Sequence, residues 1–95
     1  MSVFKSAEVS RSLNRKGFVS NRQSHHVYFR LVHNGTPTEA VTYMSHGGEE
    51  LNDYLQSRMA KQLGLKIREF QDLVRCPLTH EELYEILVER GFIKS

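Results

Sequence analysis

The sequence predicts an α+β domain in which a three-stranded antiparallel sheet carries helices on one face. Three observations support this. Near the N-terminus apolar residues recur at helical spacing, with Val9 and Leu13 four apart. From Phe18 to Ser45 the apolar period drops to two, and β-branched and aromatic residues dominate. From Leu51 onward the helical period returns, with Leu51, Leu55, Met59 and Leu63 on one stripe.

The first helix is expected over "AEVSRSLNRKG", with Ser6 as its N-cap, Glu8 near the positive end of the helix dipole and Gly17 as the residue that leaves it. With Val9 and Leu13 turned to the core, Arg11, Arg15 and Lys16 form a basic ridge on the outside. Strands follow at Phe18–Arg22, His25–His33 and Glu39–Met44, a meander. Between the last two lies "HNGTPT", where Asn34 and Gly35 both tolerate positive φ, a hairpin signal, while Pro37 points to a loop longer than two residues. In the second strand, alternation sends His25, Val27, Phe29 and Leu31 to the core face and His26, Tyr28, Arg30 and Val32 to the other. The adjacent histidines then point opposite ways and cannot share one metal ion without a bulge.

Gly47 and Gly48 serve a turn, and Asn52 caps the second helix, which Gly64 ends. Ile67, Phe70 and Val74 mark a third helix broken by Pro77, and the Thr79–Glu82 capping box opens a fourth through Leu83, Ile86 and Leu87 that Gly91 terminates. Periodicity does not decide whether this last pair completes the core, covers a sheet edge or holds a partner. The order α-β-β-β-α, with two short C-terminal helices added, is that of a double-stranded-RNA-binding-domain-like sandwich, and a fold of that kind does not fix function.

Ninety-five residues suffice for one domain with one modest core, so residues 1–95 are read as a single unit. No apolar run approaches the roughly 18 residues of a membrane span, and "MSVFKSAEVSRS" lacks the apolar stretch of a secretory signal. The expected location is the cytoplasm. The lone Cys76 agrees with a reducing compartment and is read as a small buried residue before Pro77. No His-x-x-x-His or Cys-x-x-Cys spacing, phosphate-cradling glycine loop or nucleophile elbow occurs, so neither a metal nor a cofactor is expected.

The net charge of +2 conceals an asymmetry: residues 1–33 carry six Lys or Arg against Glu8 alone, whereas the rest of the chain is net acidic. A basic cluster of this kind suits a polyanion, because each cation that neutralises a phosphate releases a condensed counterion. The histidines are concentrated too, with His25, His26, His33 and His46 inside 22 positions. A histidine exchanges protons near neutral pH, and RNA cleavage needs little more than that. A base removes the 2′-hydroxyl proton, the oxygen attacks the adjacent phosphate, an acid protonates the leaving 5′-oxygen, and cations stabilise the added charge.

The segments "LNRKGFVSNRQSHHVYFRL" and "VTYMSHGGEELNDYLQSRMAKQLGL" resemble the HicA family of toxin components of type II toxin–antitoxin systems, over roughly residues 6–65. Residues 66–95 lie outside that family's minimal core. The resemblance implies an endoribonuclease (mRNA interferase) that cleaves mRNA and is silenced by a HicB-like antitoxin. It selects His25, after Ser24, as the catalytic histidine and puts His46 in the strand-to-helix link as a second proton-transfer group. Arg11, Arg15, Lys16 and Arg22 are the candidate phosphate contacts. Gln23 stands where the family has glycine, which matters if the glycine serves the turn's backbone conformation or the close approach of RNA. Two other readings of the same residues are a non-catalytic RNA-binding module and a protein-interaction adaptor acting through the C-terminal helices. Oligomeric state is not legible in the chain.

Overall fold

A computed structural model describes residues 3–45, 50–75 and 77–94. Two short strands, β1 (Phe4–Lys5) and β5 (Glu50–Leu51), pair with each other, and α1 (Ser6–Arg15) follows β1 directly. The main sheet consists of β2 (Phe18–Gln23), β3 (His26–His33) and β4 (Thr36–Ser45), antiparallel and in chain order. Helices α2 (Asp53–Gln62), α3 (Ile67–Arg75) and α4 (His80–Glu89) complete an α+β architecture with four helices. None of these helices is long and apolar enough to cross a membrane.

The helix signals act largely as their chemistry requires. The Asn52 side chain accepts a hydrogen bond from the Leu55 amide at the start of α2. Both halves of the Thr79–Glu82 capping box are present at the start of α4. The cap of α1 differs from expectation: it falls on Lys5, which makes no side-chain capping bond, and Ser6 is the first helical residue. Pairing with Glu50 keeps Lys5 extended, so the helix begins where the short strand ends.

The β3–β4 hairpin corrects a second expectation. Its loop is the two residues Asn34 and Gly35, both at positive φ, and Pro37 lies inside β4 opposite Val32. Proline fits because a bulge follows at once, with Thr38, Glu39 and Ala40 opposing Leu31 alone. Side chains and backbone of the bulge close the ladder again: the Thr38 hydroxyl donates to the Leu31 carbonyl, and Arg30 Nη1 donates to the Thr38 carbonyl.

The buried rows Phe29, Leu31 on β3 and Ala40, Thr42, Met44 on β4 lie on one sheet face, together with Phe18 of β2. All but Thr42 join Val9 and Leu13 of α1 and Met59, Ala60 and Leu63 of α2 in one hydrophobic cluster. The same cluster includes Phe70, Leu73 and Val74 of α3, Leu83 and Leu87 of α4, and Ile93. The last helical pair therefore completes the core. Ile67, expected to help anchor α3, stays at the surface.

A surface ion pair ties α3 to the end of α4. Arg90 donates to Glu69 through both terminal nitrogens, at 2.9 and 2.6 Å, and also reaches the Gly64 carbonyl at 3.0 Å. The hydrogen bond from Arg90 holds the Glu69 carboxyl below its usual 4.5. A carboxylate with a lowered folded-state pKa stabilises the protein fully above its unfolded value and loses that contribution as pH falls through the folded value. Because the pair is partly exposed, Glu69→Gln should cost on the order of 0.5 to 1 kcal/mol at pH 7. In urea titrations across pH 7 to 3, the gap between wild type and variant should close below pH 4.5; a gap that persists at pH 3 would mean the loss is one of packing.

Candidate nucleic-acid interface

The β2–β3 hairpin turns at Ser24 and His25, between paired Gln23 and His26. His25 is thus a turn residue and not the first member of the core-facing row, and its side chain is exposed. Ser24 takes the left-handed backbone, φ 52°. Gln23 is an ordinary strand residue in register with His26, so the turn places no demand for glycine at that position. Among the described residues no hydrogen bond or ion pair engages the side chain of His25 or Arg22. Past Phe18 all of β2 is exposed.

The sheet face turned away from the helices carries a cluster that strand alternation assigns to it. His26, Tyr28 and Arg30 of β3 lie beside Tyr43 and Val41 of β4 and Gln23, Asn21 and Val19 of β2. The Tyr43 ring stands 5.1 Å from His26, nearly perpendicular to it, and 5.4 Å from Tyr28. Arg58 reaches over the edge from α2, its guanidinium 4.6 Å from the Tyr43 ring centre. It also donates to the Tyr43 carbonyl at 3.2 Å, while the Gln62 side chain accepts from the Tyr43 amide at 3.3 Å. Val19 is 59% exposed. Half-buried aromatic rings beside cations and amide side chains are the groups that single-stranded nucleic-acid binders use for base stacking and phosphate contacts.

The other expected cations are dispersed. Arg11 and Arg15 are exposed on α1, on the helical side of the sheet. Arg15 sits at the end of α1 that leads into Phe18, so the length of β2, about 17 Å, separates it from the hairpin tip. Lys16 is not on the ridge at all. It is buried, and its ammonium donates to the carbonyls of Leu73, at 3.2 Å, and Leu78. It follows Val9 by seven residues, almost two full turns, and so points inward with Val9 and Leu13. His46 lies outside the described residues, as does Cys76.

Searches against models of known families and against curated proteins find no match to this chain. The aromatic face was legible in the alternation of β3, but its β4 half required the register that pairs Tyr28 with Tyr43.

Proposed function

We propose that this chain is a HicA-like endoribonuclease with a double-stranded-RNA-binding-domain-like fold. Single-stranded mRNA lies along the open sheet face and is cut by His25 at the hairpin tip, and a HicB-like antitoxin acts as the inhibitor. The supporting observation is the position of His25, exposed, unengaged by the described residues, and at the end of a face bearing His26, Tyr28 and Tyr43. Bases stacked on those rings would run the backbone toward the tip, where His25 exchanges the proton of the 2′-hydroxyl and Arg22 offsets phosphate charge. Arg11 and Arg15 on α1 serve only substrate long enough to wrap to the other side.

Purified protein should cleave a long single-stranded RNA in the presence of EDTA, and His25→Ala should lower the rate at least a hundredfold, in keeping with the usual size of a lost acid–base group. Equal cleavage by His25→Ala would remove His25 from the mechanism. The aromatic face by itself favours a second reading, a binding module without chemistry. That reading expects salt-sensitive RNA binding, weakened by Tyr28→Ala and unchanged by His25→Ala, with no product under any condition.

A further inference from the structure

At the other end of β3, about 23 Å along the strand from the hairpin tip, His33 follows Leu31 on the helix-covered face and meets the start of α4. Its ring lies flat on Tyr84, with centres 3.5 Å apart and planes 9° apart, and its Nδ1 is 3.0 Å from His80 Nε2. The other nitrogen of His80, Nδ1, is 2.8 Å from the Lys16 backbone carbonyl. A carbonyl can only accept, so His80 Nδ1 carries the hydrogen and the Nε2 lone pair of neutral His80 faces His33.

Gly17, at φ +96°, lies against the His80 ring: a Cβ there would meet His80 Nδ1 at 2.5 Å and Cε1 at 2.8 Å, so glycine is what leaves room for the imidazole. Tyr84 covers the flat side of the His33 ring. The two rings are nearly parallel, with planes 13° and centres 5.2 Å apart, and are joined nitrogen to nitrogen by a hydrogen bond. A metal ion would take the place of the shared proton, with both rings tilting to meet it, while the far N–H of His80 on a backbone carbonyl is the outer bond that metal-binding histidines commonly make. Zinc bonds of about 2.0 to 2.1 Å at a tetrahedral angle put ligand nitrogens roughly 3.3 Å apart, a few tenths of an ångström wider than the observed pair. Glu81, the residue after His80 and exposed, brings a carboxylate oxygen within 4.8 Å of a ring nitrogen of each histidine. His33 also lines a cleft with Asn34, Thr36, Glu39, Tyr84 and Lys94.

We propose that His33, His80 and Glu81 bind a zinc ion that pins the N-terminus of α4 to the end of β3. Two imidazoles and a carboxylate suit zinc among the divalent ions, and the three ligands leave one position toward the cleft. The site is separate from the hairpin tip and independent of the RNA reading. It escapes sequence patterns because its histidines are 47 residues apart.

The test is zinc titration of the full chain by calorimetry, with cobalt substitution as a spectroscopic check of coordination. One equivalent should bind, and the thermal midpoint should rise with zinc. His80→Gln should weaken binding by more than the roughly 10- to 100-fold that loss of even an orienting partner costs a metal site. Glu81→Gln, at an exposed position that leaves the fold intact, should weaken it about tenfold and alter the cobalt spectrum. A His25→Asn/His26→Asn variant should bind as wild type does. Absence of binding, binding that follows His25 and His26, or binding indifferent to both His80→Gln and Glu81→Gln would each overturn the proposal.

Discussion

Phe70→Ala should lower the unfolding free energy by about 3 to 5 kcal/mol, as expected for removing a fully buried aromatic side chain. Phe70 sits on α3, which packs against both α1 and α2, in the core shared by all four helices. Against the 5 to 15 kcal/mol typical of whole domains, roughly, the loss would leave a small or vanishing margin. Urea denaturation followed by circular dichroism reads it directly. If the C-terminal helices were an appended adaptor, the midpoint would scarcely move, and a chain ending at Leu65 would retain the same cooperative transition. The buried positions of Phe70, Leu73, Leu83 and Leu87 argue that such a chain fails to fold.

Lys16→Met should destabilise the protein by about 1.5 to 3 kcal/mol, the range for hydrogen bonds to a charged group. RNA binding measured well below the unfolding midpoint should be unchanged. The reason lies at the C-terminal end of α3, where the last carbonyls have no partners within the helix. Residues on one face of α1 supply them: the Ser12 hydroxyl donates to Val74 at 2.9 Å, and the Lys16 ammonium donates to Leu73 and Leu78. A cation at this end also meets the negative pole of the helix dipole. Methionine keeps most of the aliphatic stem and removes the donor together with its charge. Unaltered stability with lost RNA affinity would return Lys16 to the basic ridge.

Elements that depend on local patterns could be read from the sequence. Period-two alternation gave the strands of the sheet, and capping chemistry gave the starts of α2 and α4. What escaped was decided between distant segments. The β1–β5 pair is two residues on each side and has no period to detect. Pro37 looked like part of a loop because the bulge that accommodates it belongs to β4's pairing and not to its composition. His25 looked like a core-facing strand residue because alternation cannot say where a strand gives way to its turn. Lys16 was different: its seven-residue offset from Val9 marked the core face, and its charge obscured that signal. The pairing of His33 with His80 depends on how α4 returns to the sheet, for which no local pattern exists.

The way Arg58 and Gln62 occupy the outward amide and carbonyl of Tyr43 gives the sheet a direction of growth. A strand arriving at the middle of β4, whether from a binding partner or from an unfolded copy, would have to displace two side chains before forming its first ladder bond. The opposite edge, β2, is where strand-by-strand recruitment meets no such obstacle from α2. Substituting Arg58 and Gln62 together would remove a steric and electrostatic guard against cross-strand aggregation as well as a support for the Tyr43 ring.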